Sequence, residues 1–128
     1  MDRDEAVDML KAIAEAFDRH DLDGIMEYFT DDAVFEAPRG SEAWGTRFVG
    51  REAVREGFAG RFSGIPDVRY RDDEHFVDLE AGRGASEWTL SGTTTEGQRI
   101  EVRGCDLWTF RDGKVVKKDS FWKIRTTG

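Results

Sequence analysis

The stretch CDLWTFRDGKVV, residues 105–116, decides how the second half of the chain folds. Its Asp112-Gly113 pair is a strong signal for a tight turn between antiparallel strands, because both residues tolerate the backbone angles that such a turn requires. The turn predicts one strand over residues 99–110 and another, the last of the chain, over residues 115–124. The two strands are expected to pair as a β-hairpin.

Two more strands are predicted upstream of this hairpin. Residues 67–79 alternate poorly but contain several large apolar side chains, and they end before the glycine-rich turn AGRG. Residues 85–94 form a run of β-branched and aromatic side chains, which is typical of a strand. The turn TEGQ then leads into the hairpin. The second half of the chain is therefore expected to contain four strands joined by hairpins.

The first half of the chain is predicted to be mainly helical. Apolar side chains recur at helical spacing over residues 7–17, which predicts an amphipathic helix with one buried face. Asp21 can cap a second, shorter helix by accepting a hydrogen bond from a free backbone amide. A third helix is expected to begin at Gly50 and to stop at Gly64 and Pro66.

The segment between the second and third helices is predicted to contain a short strand and a loop. The strand covers residues 33–37 and is closed by Pro38, and the loop covers residues 39–49 and contains Trp44. Helices that are segregated from an antiparallel sheet indicate the α+β class.

Length and charge limit the classes of protein that the chain can belong to. Its 128 residues, 38% of them apolar, suit one domain over residues 1–128. The net charge of −8 argues against nucleic acid or an anionic membrane as a partner. The single cysteine, Cys105, cannot form an internal disulfide bond, and no apolar run approaches the roughly 20 residues of a membrane helix. A cytoplasmic protein is expected.

Motifs for metals and organic cofactors are missing from the sequence. His20 and His75 are the two histidines, and HExxH, CxxC, GxGxxG, phosphate-loop and GxSxG patterns do not occur. Neither a metal nor a cofactor is therefore expected.

Three stretches carry a resemblance to a known family. They are DLDGIMEYFTDDAVFEAP (residues 21–38), GREAVREGF (residues 50–58) and the stretch at residues 105–116 quoted above. Together they resemble the NTF2-like superfamily and, within it, the SnoaL-like and ketosteroid-isomerase-like proteins. The resemblance implies an α+β cone in which three N-terminal helices pack on a strongly curved, mostly antiparallel sheet around an internal pocket.

The resemblance leaves the activity open, because this superfamily holds both enzymes and binding proteins. One expectation is a cofactor-independent isomerase, dehydratase or cyclase that uses acid/base chemistry on an apolar, polycyclic or aromatic substrate. A second is a non-catalytic module that binds or carries such a ligand. A third is an interaction domain of the nuclear-transport-factor type.

The steroid isomerase mechanism itself is not expected. The family's oxyanion aspartate falls on Asp106, but its base falls on Ala37 and its tyrosine on Ile13. Alanine cannot move a proton and isoleucine cannot donate to an enolate. The aspartate of the epoxide-hydrolase pattern falls on Ser120, so that mechanism is not supported either.

Strand periodicity predicts which side chains face the pocket. Successive side chains of a strand point to opposite faces, so an inward Asp106 sets the phase of the neighbouring strands. Besides Asp106, the inward set is Gly104, Trp108, Phe110, Trp88, Leu90, Gly92, Val116, Lys118, Ser120 and Trp122.

Asp106, Lys118 and Ser120 are the predicted catalytic residues. If no cation lies nearby, burial makes Asp106 a proton donor, whereas a hydrogen bond from Lys118 makes it a fixed anion or weak base. The predicted lining of the pocket is Trp88, Leu90, Trp108, Phe110, Trp122, Trp44, Tyr28, Ile13 and Ala37.

Other residues are assigned away from the chemistry. His75 is expected at the surface or at a dimer edge, and Glu36 in solvent or bonded to a loop. The outward residues Cys105, Leu107 and Phe121 are too apolar for a sheet face in water, which predicts a homodimer through that face.

Overall fold

Three helices pack on one face of a six-stranded sheet in the computed structural model, which describes residues 1–126. The elements are α1 (Arg3–Asp18), α2 (Leu22–Met26), β1 (Phe29–Glu42), β2 (Gly45–Val49), α3 (Arg51–Gly64), β3 (Arg69–Asp78), β4 (Arg83–Thr93), β5 (Arg99–Arg111) and β6 (Lys114–Trp122). The strands lie in the order β2-β1-β6-β5-β4-β3, and the curved sheet is mixed because β1 and β6 run parallel. The α+β class is confirmed. No helix within the described residues is long and apolar enough to cross a membrane.

Local sequence explains where α1 begins and which face it buries. The Asp2 carboxylate accepts a hydrogen bond from the Glu5 amide at 2.8 Å, and the Glu5 carboxylate accepts one from the Asp2 amide at 3.0 Å. This reciprocal pair is a capping box, which satisfies two amides that the helix leaves free. The apolar face of the helix is buried, and it packs against β3.

The segment before α3 differs from the sequence-based expectation. β1 runs over 14 residues instead of five, and residues 45–49, predicted as loop, form β2. β2 pairs antiparallel with β1, and the rings of Phe35 and Phe48 stack across the two strands at 5.6 Å. The strand covers an edge of β1 that would otherwise leave its backbone groups unpaired. Since α3 follows both strands, the three helices are not contiguous at the N-terminus.

A bulge between β5 and β6 shifts the predicted phase at the start of β6. Thr109 pairs with Lys117, but the next residue, Phe110, pairs with Val115. Val115 is therefore fully buried, and Val116, predicted to face inward, is only half-buried. Beyond the bulge the predicted phase holds, because side chains at 106, 108, 118 and 120 are all buried.

The core is built from two clusters that lie between the helices and the sheet. In the first, the ring of Phe58 meets three other phenylalanine rings at centroid distances of 4.7 to 5.5 Å. The second consists of Ile65, Val68, Trp88, Leu90 and Val102. The polar inner surface of β3–β6 that is described below lies against both clusters.

Candidate functional site

A narrow cavity lies between α1 and the inner face of β3, β4, β5 and β6. The empty volume of the cavity is about 390 Å³ when its open mouth is included. The volume that water can enter is only about 30 Å³. A ligand with several rings therefore needs side chains to move. The lining residues are Leu10, Ile13, Ala14, Phe17, Tyr70, Asp73, His75, Ser86, Trp88, Asp106, Trp108 and Lys118.

Four polar side chains form one row across the sheet at this cavity. Cross-strand pairing joins His75 to Ser86, Ser86 to Asp106, and Asp106 to Ser120. Residues paired across a sheet place their side chains close together on the same face. The register thus collects an imidazole, two hydroxyls and a carboxylate along one line, and two hydrogen-bonded networks are built on that line.

The first network surrounds the carboxylate of Asp106 with three donors. Its Oδ1 atom accepts a hydrogen bond from the Ser120 hydroxyl at 2.6 Å and lies 3.0 Å from the Lys118 Nζ atom. Its Oδ2 atom accepts from the indole N–H of Trp88 at 2.8 Å. Lys118 also donates to the Ser120 oxygen at 2.7 Å. The sequence left open whether Asp106 is a proton donor or a fixed anion, and three donors around its oxygens suit the anion.

The side chain of Lys118 is buried, which is unusual for a lysine. Burial lowers the pKa of Lys118 from its ordinary value, while the neighbouring Asp106 carboxylate acts in the opposite direction. Aromatic faces add attraction for the ammonium group, since their rings carry negative charge on each face. The Nζ atom lies 4.9 to 5.8 Å from the ring centroids of Phe17, Phe35, Phe58 and Trp108.

The second network places a histidine in the cavity. The indole N–H of Trp108 donates to the Ser86 Oγ atom at 2.9 Å, and this oxygen lies 2.7 Å from the His75 Nδ1 atom. The Nε2 atom of His75 lies 2.7 Å from an Asp73 carboxylate oxygen. The His75 side chain is only 3% exposed. The expectation of a surface or dimer-edge histidine is wrong.

The irregular backbone of β3 explains why sequence periodicity missed His75. Register with β4 shifts between Arg71 and Glu74, and Asp72 in between adopts a positive φ of 55°. A bulge of this kind reverses the alternation of inward and outward side chains that follows it. The neighbouring strand could have indicated that His75 points inward, because the buried Ser86 pairs with His75 across the ladder.

Tyr70 is a further lining residue that the sequence did not single out. Its ring meets Trp88 edge-on at 5.3 Å, and its hydroxyl is a hydrogen-bond partner of the Arg61 side chain. Burial raises the pKa of the Tyr70 phenol above its ordinary range. The hydroxyl therefore stays protonated and can serve as a hydrogen-bond donor.

Several predicted site residues do belong to the cavity. Trp88, Trp108, Ile13, Asp106 and Lys118 line it. Ser120 is buried next to the lining, where its hydroxyl bridges Lys118 and Asp106. It therefore acts on the carboxylate and not directly on a ligand in the cavity.

Other predicted lining residues lie elsewhere. Leu90 is buried in the second core cluster, two residues along β4 from Trp88, where Val102 faces it across the ladder. Tyr28, Ala37 and Phe110 pack against the first core cluster instead.

Two tryptophans predicted to line the cavity, Trp122 and Trp44, lie outside the lining and stack on arginines. The guanidinium of Arg61 lies 4.3 Å from the ring centroid of Trp122, and that of Arg47 lies 4.2 Å from the ring of Trp44. Trp44 is exposed in the turn between β1 and β2. Each ring is therefore stabilised by a cation–π contact with an arginine and does not contribute to the pocket lining.

The outer face of the sheet contains a buried acid, Glu36, which was expected in solvent or bonded to a loop. Glu36 accepts a hydrogen bond from Arg47 Nε at 2.7 Å and pairs with Lys117 Nζ at 3.1 Å. The next strand places Asp119 beside it, and burial together with the Glu36 charge raises the pKa of Asp119. Cys105 and Leu107 are half-buried on the same face, and Phe121 is 47% exposed.

Within residues 1–126, no group of three or more histidine, cysteine, aspartate or glutamate side chains is arranged to hold a metal ion.

Comparison with solved structures identifies the fold. A candidate polyketide cyclase from Xanthomonas campestris pv. campestris superposes with a TM-score of 0.83, at 21% identity over 94% of this chain and 92% of that one. TerC, co-crystallised with polyporic acid, gives a TM-score of 0.77 at 20% identity over 93% and 92% of the two chains. A candidate isomerase from Bacillus subtilis gives 0.77 at 20% identity over 94% and 87%.

The family is identified by sequence as well. No curated protein matches the sequence significantly. The sequence model of the SnoaL-like domain matches residues 10–118, which include α2, α3, all of β1–β5 and the residues of both polar networks except Ser120. The solved structures share the NTF2-like arrangement that the sequence motifs resemble. This chain therefore belongs to the SnoaL-like domain family.

Proposed function

We propose that this protein is a cofactor-independent enzyme that isomerises, dehydrates or cyclises a small aromatic or polycyclic substrate by acid/base chemistry. The observation that carries the proposal is the buried Asp106–Lys118 pair at the wall of an otherwise aromatic cavity. An apolar pocket with a few converging polar groups is typical of a small-molecule site. Relatives of the same fold that are named as candidate cyclases and isomerases agree with this class of reaction.

In this proposal Asp106 is the base. Its Oδ2 atom accepts one hydrogen bond from Trp88, which leaves room for a substrate proton, because each carboxylate oxygen has two acceptor sites. Lys118 and Ser120 keep the carboxylate anionic and oriented, and the ammonium also stabilises negative charge that develops on the substrate. Both effects are strong in a cavity from which water is largely excluded.

The steroid isomerase arrangement does not apply to this cavity. Ile13 lines it where that mechanism needs a phenol, and Ala37 packs in the core where it needs a carboxylate. Tyr70 offers a protonated phenol from β3 instead, so a substrate carbonyl bound here has a donor from a different element.

A non-catalytic ligand carrier is the second candidate. The observation that favours it is the pairing of Asp106, Lys118, Ser86 and His75 with other protein groups. A carrier needs only affinity for its ligand and no free catalytic group. Burying a polar group that is already hydrogen-bonded costs less free energy than burying an unpaired one.

A thermal-shift screen followed by product analysis tests both candidates. Steroids, polyketides, terpenoid epoxides and aromatic acids are each added to the protein. A ligand at 100 times its Kd is expected to stabilise the fold by about 2.7 kcal/mol, which raises the Tm by several degrees. Mass spectrometry of the bound molecule then shows conversion for an enzyme and unchanged ligand for a carrier.

Matched tryptophan variants locate the binding. Trp88→Ala is expected to abolish the ligand-induced shift, because Trp88 lines the cavity, whereas Trp122→Ala keeps it. Each shift is measured against the same variant without ligand. If no class of compound raises the Tm, both candidates are wrong.

We also propose that the outer sheet face pairs with a second copy of the chain. Phe121 and Phe76 are 47% and 52% exposed there, on either side of Leu107 and Cys105. Light scattering is expected to give twice the chain mass of 14.6 kDa. Phe121→Asp should dissociate the dimer, and Ile124→Asp, at a residue beyond β6, should not. A wild-type mass of 14.6 kDa would contradict the pairing.

A further inference from the structure

Ser86, His75 and Asp73 form a hydrogen-bonded chain that leads from the cavity to the surface. All three residues line the cavity, but Ser86 is 2% exposed, whereas the Asp73 side chain is 40% exposed and reaches solvent. The two links are each 2.7 Å long. A hydroxyl, a base and a carboxylate that orients the base are the three parts of an activated nucleophile.

A donor at one end of the chain, Trp108, and an acceptor at the other, Asp73, decide where the protons lie. An indole nitrogen can only donate, so the Ser86 oxygen accepts from Trp108. The Asp73 carboxylate can only accept, so the proton of a neutral His75 lies on Nε2. The Nδ1 atom is then an acceptor, and the Ser86 hydroxyl donates to it. The serine proton already points at the base.

His75 can act on a bound molecule only through Ser86. Both of its ring nitrogens have protein partners, while the Ser86 oxygen lies at the cavity wall. The bond from Trp108 also stabilises negative charge on that oxygen when its proton leaves. Lys118 lines the same cavity, so a cation is present for charge that develops on a carbonyl oxygen.

We propose that Ser86 is a nucleophile that takes an acyl group from small aromatic esters, an activity separate from the chemistry assigned to Asp106. The Ser86 oxygen bonds to the ester carbonyl carbon while its proton passes to His75 Nδ1. The bond from that carbon to the leaving oxygen then breaks, and His75 returns the proton to the leaving alcohol. Water, with His75 as base, hydrolyses the acyl-serine to the carboxylic acid and free Ser86.

The aromatic walls and the small free space define the class of ester. Rings of Phe17, Trp88 and Trp108 suit an aryl group, and the narrow cavity favours a short acyl chain. p-Nitrophenyl acetate combines both features and releases a coloured alcohol.

Acylation of the intact protein by p-nitrophenyl acetate tests this proposal. We expect release of p-nitrophenolate, a mass increase of one acetyl group, and the acetyl group on the peptide that contains Ser86. Ser86→Ala is expected to abolish the label and Ser86→Cys to retain it. His75→Gln should slow acylation by about 10²-fold or more, the usual contribution of a positioned base.

Ser91→Ala is the matched control. Ser91 is buried on the same strand, and its side chain is away from the cavity lining, so the variant should acylate like the wild type. Denaturant unfolding is expected to show a cooperative transition for Ser86→Ala, which separates loss of the nucleophile from loss of structure. The proposal is overturned if the label maps to another residue, if Ser86→Ala still reacts, or if the wild type shows no acylation. None of these outcomes depends on whether Asp106 acts on a substrate.

Discussion

Asp106→Asn is expected to lower the free energy of unfolding by about 3–5 kcal/mol, because it leaves the buried Lys118 without its anion. Lys118 then sits among aromatic rings with only neutral hydrogen-bond partners, the Ser120 hydroxyl and the new amide oxygen. The charged form of Lys118 is then costly in the folded variant, because its pKa falls further below the ordinary value. Urea denaturation at neutral pH measures the loss.

The same variant should show a distinctive dependence on pH. Burial already lowers the pKa of Lys118, and removal of the Asp106 charge lowers it further. The unfolded chain then binds more protons than the folded chain at pH values between the lowered pKa of Lys118 and about 10.4, the pKa of an exposed lysine. The stability of Asp106→Asn relative to wild type should therefore rise with pH over this range, by up to about 1.4 kcal/mol per unit.

Asp119→Asn and a double variant serve as controls. Asp119 lies on the outer face, where burial and Glu36 disfavour its charge, so this Asn should be tolerated or slightly stabilising. Replacing Lys118 with Met in the Asp106→Asn background should recover much of the loss, since no unpaired charge remains. Equal stabilities for Asp106→Asn and Asp119→Asn would show that the buried ion pair does not hold in solution.

Phe58→Ala is expected to cost about 3–5 kcal/mol, the usual range for an aromatic residue removed from a core. Phe58 is 1% exposed, and its ring meets those of Phe17, Phe29 and Phe35. The variant also removes one of the faces around the Lys118 ammonium. Denaturant unfolding gives the free energy directly.

Ile124→Ala is the comparison for this loss. Ile124 is an exposed large apolar residue, so its truncation should change stability by less than about 0.5 kcal/mol. A loss below about 1 kcal/mol for Phe58→Ala would mean that the cluster collapses onto the vacated space, or that its packing is looser than the ring distances imply.

Local patterns were sufficient for most elements of the fold. The Asp112-Gly113 turn predicted the β5–β6 hairpin, and Asp112 and Gly113 do adopt positive φ angles of 53° and 76°. Helical spacing predicted α1, the order of helices and strands predicted the α+β class, and the family resemblance implied the curved sheet. These features depend on residues that are close in sequence, where propensity and periodicity act.

Pairing between strands that are distant in sequence could not be predicted from these local patterns. β2 is five residues long and exists because it pairs with β1, so its own composition carried little signal. The phase that placed Asp106, Lys118 and Ser120 inward was correct after the β5–β6 bulge, but an irregularity in β3 concealed His75. One unpaired residue is enough to exchange the two faces of a strand.

The sequence by itself determined the α+β class, the family and the buried carboxylate at Asp106. Only the tertiary structure decided that Lys118 and Ser120 bind this carboxylate, and that Ser86, His75 and Asp73 form a second network beside it. Such contacts depend on the register of four strands at once. A hydrogen bond needs its atoms placed to within a few tenths of an ångström, and cross-strand register, set by bulges and turns, decides that placement.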